Sequence, residues 1–388
     1  MPNIFRNPGV FIQKMGVTTK TICGVSTSTA VCIGTFPKGS SYTPTNIRSL
    51  QECERTFGGL RANQLPSLVI GQFFENGGTN IWIISIGTNP FRTATPFLKG
   101  LSFLSQIPSF NMLVIPETTL LPVREAEKVF PTAVSLIEKY RAVYFLDPPH
   151  TDGPPLQVKD LAVWSSAQRI IQHPNVMVYW PRVQIRTRVA SSPTVTIPVS
   201  GTMAGIFARL DSTRGVWKAP AGTEAILQGV VGLNPLLTSH DMNFLASINI
   251  NTIKQLPSSA FVAWGARTLS PDPEWKYVSV RRTALFVERS LQQGTTWAAF
   301  EPNDEPLWAQ IRQSVETFMQ TLFWRGAFQG AKAQDAYFVK CGRETTTAAD
   351  QVAGQVRIIV GFAPLKPAEY VLVNIQQKAG PTPFGNRP

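Results

Sequence analysis

Four short, nearly continuous apolar runs are spaced along the first half of the chain: "NIWIISIG" (80–87), "NMLVIPE" (111–117), "AVYFLDPP" (142–149) and "NVMVYWPRV" (175–183). Amphipathic stretches follow three of them, over 122–140, 157–172 and 201–213. A run without polar alternation belongs to a strand covered on both faces, and helices between such strands provide the covering layers. This constrains the fold more than any other feature. It predicts an α/β (mixed α+β) protein with a central, mostly parallel sheet flanked by helices. "STAVCIGTFPKG" (28–39) supplies a further buried-type strand ending in a Pro/Gly turn.

Outside this alternation, "SLQECERTFGGL" reads as a short helix stopped by Gly58 and Gly59, and "LPSLVIGQFFENGG" as a second stopped by Gly77 and Gly78. Residues 181–200 are basic and Pro-rich and read as a long connection, and 214–260 show less regularity. "AFVAWGARTLSPDPEWKYVSVRR" holds a strand, a Pro-punctuated loop, and a second strand or a helix start. The clearest helix covers 304–326. Asn303 or Asp304 caps it, Pro306 suits its first turn and Gly326 ends it. Its apolar stripe runs from Leu307 and Trp308 to Leu322 and Phe323. "AYFVKC", "QVRIIVGFAP" and "EYVLVNIQQ" then read as three strands.

At 388 residues the chain is too long for one ordinary core. The expected division is an N-terminal arm (1–24), an α/β domain (25–200, with 90–200 outward-facing), a second domain (201–363) and a C-terminal arm and tail (364–388). The hydrophobic fraction is 43% against only 15% charged residues, a surface lean enough in charge to suggest coverage in an assembly, although a Ser/Thr/Gln-rich surface would also fit. The net charge of +12 favours an acidic partner without choosing between nucleic acid, an anionic membrane and an acidic protein. The densest basic group is Arg182, Arg186 and Arg188, and no run resembles a basic arm or a recognition signature for nucleic acid. Cys23, Cys32, Cys53 and Cys341 form no CxxC pair and suit a reducing cytoplasm. "MPNIFRNPGV" has no apolar core of a signal peptide, and no run reaches membrane-spanning length.

Residues that could carry chemistry are sparse. Glu301, Asp304 and Glu305 are the best carboxylate cluster, but acidic residues at a helix start more often meet the orphan N–H groups there. His240 beside Asp241 suggests a dyad, yet "SHD" also caps the helix that follows. His150 and His173 lie beside prolines, and no nucleophile elbow, phosphate loop or metal-ligand spacing occurs. An α/β hydrolase or nucleotide-binding enzyme using Glu301, Asp304 and His240 remains one reading, and a basic nucleic-acid-binding coat protein another.

The two ends raise a different question. "VFIQKM" (Val10, Phe11, Ile12 onward) is a short strand with no hairpin after it. "EYVLVNIQQ" places Tyr370, Leu372 and Asn374 on one face and Val371, Val373 and Ile375 on the other, with only a Gly/Pro-rich tail behind. Pro364 and Pro367 make the lead-in extended and stiff. Such strands need partners from elsewhere.

"NPGVFIQKMGVTTKTICGVSTSTAVCIGTFPKG", "FGGL" and "QFFENGGTNIWIISI" resemble the N-terminal blocks of contractile-tail sheath proteins. "FVAWGARTLSPDPEWKYVSVRR", "WAAFEPNDEPLWAQIRQSVETFMQTLFWRGAFQGA", "AYFVKC" and "GFAPLKPAEYVLVNIQQ" resemble their C-terminal blocks. The resemblance covers about half the chain, and residues 90–200 match only as generic α/β. The chain is short for the family, so the outer domains of larger phage sheaths are expected to be lacking. The Gly/Pro tail departs from the family pattern.

The resemblance implies a structural subunit and no enzyme or cofactor. It implies terminal strands, Val10–Ile12 and Tyr370–Ile375, that complete a sheet in neighbouring copies. It further implies an inner tube protein, baseplate and terminator proteins as partners, with no nucleic acid and no membrane insertion. Assembly in a bacterial cytoplasm and a place in a phage tail or phage-like contractile particle follow. Arg312, Arg325 and Lys332, on and after helix 304–326, become candidates for contact with the acidic tube, against an ordinary solvated helix face as the alternative.

Overall fold

The computed structural model describes residues 20–59, 64–88, 91–150, 156–167, 171–187 and 194–369. Val10–Ile12, Arg188 and Tyr370–Ile375 lie outside these.

The chain opens with β1 (Ala30–Gly34), the edge strand β2 (Thr45–Ile47), α1 (Leu50–Phe57), α2 (Leu65–Glu75) and β3 (Ile81–Ser85). α3 (Thr95–Ser102), β4 (Met112–Val114), α4 (Val123–Lys139), β5 (Val143–Phe145), α5 (Val158–Ala167) and β6 (Val176–Met177) continue the alternation. Six strands form one sheet in the order β2-β3-β1-β4-β5-β6, parallel except for β2. Its five parallel strands follow the doubly wound order second-first-third-fourth-fifth.

Alternate residues of each strand supply two separate cores. Cys32, Ile83, Met112, Val143 and Phe145 face one side, and Val31, Ile33, Ile84, Leu113 and Tyr144 face the other, where α3, α4 and α5 pack. The first side is covered by α2 and α6 (Ser200–Thr213). These two helices approach closely because Gly201 and Gly205 face the α2 backbone. A Cβ at Gly201 would lie 2.2 Å from the Val69 carbonyl, and one at Gly205 2.4 Å from that of Phe73.

β7 (Tyr179–Trp180), β8 (Arg182–Arg186) and β9 (Thr194–Ile197) precede α6. The expected connection over 181–200 is therefore corrected: β8 and β9 pair antiparallel, and β10 (Val230–Asn234) joins β8 on its other edge. The reason is visible in "RVQIR", where Val183 and Ile185 turn inward and alternate with Arg182, Gln184 and Arg186. The less regular stretch after 214 also contains α7 (Ser239–Ser247) and the hairpin β11 (Asn251–Gln255) and β12 (Phe261–Trp264), with β7 parallel to β11.

The C-terminal part begins with α8 (Val278–Gly294), which settles the open choice after "PDPEWKY" in favour of a helix. α9 (Glu305–Trp324) matches the expected helix. Asp304 caps it by accepting the Leu307 amide at 3.2 Å, and Gly326 follows its end with φ +74°. α10 (Ala333–Ala336), β13 (Tyr337–Lys340), α11 (Ala348–Val352) and β14 (Ile359–Phe362) complete the described elements. A third core joins Trp308, Ile311, Val315, Phe318 and Met319 of α9 to Phe286 and Val287 of α8 and to Ile22. Among the described residues no helix is long and apolar enough to cross a membrane.

In a doubly wound sheet the ligand crevice lies at the carboxyl ends of the strands where their order reverses, here between β1 and β4. That position is filled. Glu117, just past β4, accepts the Thr35 amide at 2.7 Å and the Thr35 hydroxyl at 2.5 Å. Burial pushes the Glu117 carboxyl up to about 7, partly offset by these two hydrogen bonds. Past β5, Asp147 accepts the Ser200 amide at 3.2 Å, and burial likewise pushes it to about 7 against the pull of Ser200 and Arg182.

A raised folded-state value means that the folded chain holds a proton the unfolded chain releases. The Glu117 contribution is therefore fully favourable below pH 4.5 and is lost as pH rises toward 7. Glu117→Gln mimics the protonated group. In urea titrations the variant should match the native chain near pH 4 and exceed it by ~3 kcal/mol at pH 8, from 1.36 kcal/mol per unit. Parallel stability curves across that range would refute the buried-carboxylate account.

Candidate assembly interface

Of the carboxylates and histidine considered for catalysis, Asp304 and Asp241 are used structurally. Asp304 is spent on the α9 cap. Asp241 and Thr238 form a reciprocal capping box on α7, with the Thr238 amide donating to Asp241 at 2.9 Å and the Asp241 amide to Thr238 at 3.2 Å. Glu301, Glu305 and His240 are exposed. Among the described residues, no group of three His, Cys, Asp or Glu side chains could hold a metal ion.

The tube-facing candidates separate into different settings. Arg312 turns toward the subunit, donating to the Cys341 carbonyl at 2.7 Å and lying 3.8 Å from Glu305. The Arg325 guanidinium sits over the Trp217 ring at 5.2 Å. Lys332 is exposed at the start of α10.

The feature that stands out is the sheet formed by β13 and β14. Its register pairs Tyr337 with Phe362, Phe338 with Gly361, Val339 with Val360 and Lys340 with Ile359. Tyr337, Val339, Val360 and Phe362 pack on the third core. Phe338 and Ile359 are about half exposed on the opposite face. The Phe338 ring covers Gly361, whose missing side chain leaves room for it: an added Cβ would lie 2.3 Å from that ring. A two-stranded sheet is marginal alone, and among the described residues no third strand covers either outer edge. A groove of about 580 Å³ runs beside β13, walled by Glu316, Gln320 and Trp324 of α9 and by Tyr337, Phe338 and Val339. Trp324 is 77% exposed there, an unusual state for a tryptophan on a core helix.

The first and last described residues are held at separate places. Residues 20–25 lie against α8: Lys20 is over the Trp297 ring at 5.4 Å, Ile22 fills the space beside Gly294, and the Val25 amide donates to Ser290 Oγ at 3.1 Å. At the other end Gln329 donates to the Ala363 carbonyl at 2.9 Å. Glu369 is gripped by Arg267, a residue that no local sequence pattern singles out.

The described residues thus combine a doubly wound core with a separate two-stranded sheet that no third described strand extends. Residues 270–378 match the family model of the phage tail sheath C-terminal domain. A prophage major tail sheath protein of Pseudomonas aeruginosa (strain UCBPP-PA14) is 26% identical over 261 residues, 66% of this chain and 63% of the relative. The tail sheath protein of Escherichia phage P2 is 24% identical over 200 residues, 50% of this chain and 48% of its own length. The matched stretches thus span about half to two thirds of these relatives. Among solved structures, the contracted sheath complex of an extracellular contractile injection system, PVC, superposes with TM-score 0.76 at 26% identity, covering 97% of this chain and 99% of that one. A chain of the anti-feeding prophage baseplate superposes with TM-score 0.77 at 23% identity, covering 97% and 100%, a likeness of fold. The chain is thus similar to tail sheath proteins, over residues 270–378 by the family model and across nearly its whole length in fold.

Proposed function

We propose that this chain is the structural sheath subunit of a contractile tail or injection machine, polymerising into a helical cylinder around an inner tube and shortening to drive that tube through a target envelope. The observation that carries this reading is the two-stranded β13–β14 sheet, whose outer edges no third strand covers among the described residues. Residues 1–24 and 364–388 act as arms, and Val10–Ile12 and Tyr370–Ile375 add to such sheets in other copies. Main-chain hydrogen bonds then hold the lattice with little dependence on side chains. Head-to-tail contacts that do not close generate a helix rather than a ring of fixed size.

The work of contraction comes from subunit packing, so the subunit acts mechanically, as neither an enzyme nor a cofactor carrier. The filled crevice at Glu117 and the structural use of Asp304 and Asp241 support this over an α/β hydrolase. Its partners are further copies, an inner tube protein, and baseplate and terminator proteins, with assembly in a bacterial cytoplasm before release in a phage-like particle. The net charge of +12 suits an acidic tube surface, to which we assign Arg312, Arg325 and Lys332, of which Arg325 and Lys332 are exposed. Exposed charge pairs worth about 0–1 kcal/mol each allow the sheath to let go of the tube. Negative-stain microscopy of the purified chain should show striated hollow cylinders. Discrete particles at all concentrations, or filaments that need nucleic acid, would contradict the proposal.

A further inference from the structure

The chain beyond β14 is fixed at two successive points of different chemistry. The first is local: Ala363 donates to the Ala336 carbonyl at 2.8 Å, Pro364 bridges to Phe328, and Leu365 packs on the third core. The second, at Glu369, is long-range and ionic. Arg267 meets the Glu369 carboxylate in a two-pronged pair, Nε at 2.6 Å and Nη2 at 2.7 Å, while Tyr277 Oη lies at 3.3 Å and Lys276 Nζ at 3.5 Å.

The grip is built into the body of the subunit. Arg267 is 9% exposed. Its amide donates to Asn251 Oδ1 at 2.7 Å, and its Nη1 donates to the Ala246 carbonyl in the last turn of α7. Arg267 therefore joins α7 and the root of the C-terminal segment through its guanidinium, and β11 through its amide. Burial disfavours charge on Glu369, but the Arg267 hydrogen bonds and the neighbouring cations outweigh it and hold the carboxyl below its ordinary range. A two-pronged charged pair also fixes direction, which a single exposed lysine contact would not.

We propose that Glu369 is a positioning residue for sheath assembly: its clamp to Arg267 fixes where, and in which direction, the C-terminal strand leaves the subunit. This rests on the arm reading above and deepens it. Releasing the clamp returns Lys366–Glu369 to the arm, adding about 13 Å of extended reach and leaving its direction undefined. A strand held at its root searches a smaller volume for its acceptor edge, so the effective concentration for pairing rises. The N-terminal root is held differently, by Ile22 packed in the third core and by the Val25–Ser290 hydrogen bond.

The test uses the full chain with Glu369→Gln and Glu369→Asp. In the unassembled subunit, Glu369→Gln should raise the rate of chymotryptic cleavage after Tyr370 about tenfold, with cleavage elsewhere in the chain unchanged. The concentration needed for cylinder formation should rise by about the same factor, and Glu369→Asp, which keeps the charge, should recover much of the loss. Unchanged cleavage after Tyr370, or an unchanged assembly concentration, would overturn the clamp. A fall in melting temperature with cleavage accelerated throughout the chain would also overturn it, by showing general stabilisation instead. Removal of residues 370–388 is the separate control. Normal cylinders without that segment would refute the arm reading, whereas loss of cylinders there with normal behaviour of Glu369→Gln would refute the clamp alone.

Discussion

Removal of residues 370–388 should leave a folded subunit that forms no cylinders. The described core ends before this segment, so melting and circular dichroism should match those of the full chain. Assembly is another matter. A strand over 370–377 laid on a neighbour's open edge makes about four ladder hydrogen bonds, each worth ~1 kcal/mol net. The sum, ~4 kcal/mol, is about a thousandfold in each association step. Every subunit donates such a strand, so the loss recurs along the lattice. Removing residues 1–19 should act in the same direction through the N-terminal arm. Electron micrographs of long, regular sheaths from either shortened chain would contradict the arm mechanism.

The second large effect concerns the joint between the α/β core and the C-terminal part. Arg282 of α8 and Asp211 of α6 form a pair with each side chain only 5% exposed. Nη1 reaches Oδ1 at 2.8 Å and Nη2 reaches Oδ2 at 2.6 Å. Nη2 also donates to the Thr27 carbonyl at 3.0 Å, and the guanidinium lies over the Phe207 ring. Asp211→Ala would leave a buried cation without its counter-charge, which costs about 3–5 kcal/mol. Urea unfolding should report that loss, and Asp211→Asn, which keeps one acceptor, should lose less. A change below ~1 kcal/mol for Asp211→Ala would mean that water reaches Arg282. Because the same guanidinium holds Thr27, the variant should also loosen the segment that leads from the N-terminal arm into β1.

What was legible in the sequence followed from local rules. The runs around Ile83, Leu113 and Tyr144 are apolar on both faces because helices cover both sides of the sheet. α9 was legible because Asp304, Pro306 and Gly326 mark its limits and the Leu307–Leu322 stripe faces one core. The β8–β9 hairpin was misread because prolines and arginines masked the inward alternation of Val183 and Ile185. The clamp was invisible for another reason: Arg267 and Glu369 are 102 positions apart, and no local pattern marks an ion pair formed only by the tertiary fold. The same holds for Gly201 and Gly205, whose value lies in the neighbouring helix rather than in their own. Of the interface, the strand character of 337–340 and 359–362 could be read, and the Trp324 groove beside them could not.

The most direct measurement is a near-atomic reconstruction of the assembled cylinder, tracing residues 370–377 from Glu369 outward. Segment 370–377 of one copy should lie as an added strand on the β13–β14 sheet of another, with Tyr370, Leu372 and Asn374 on one face. A reconstruction in which that segment folds back onto its own subunit, leaving every neighbour's β13 and β14 edges bare, would contradict strand exchange as the basis of assembly.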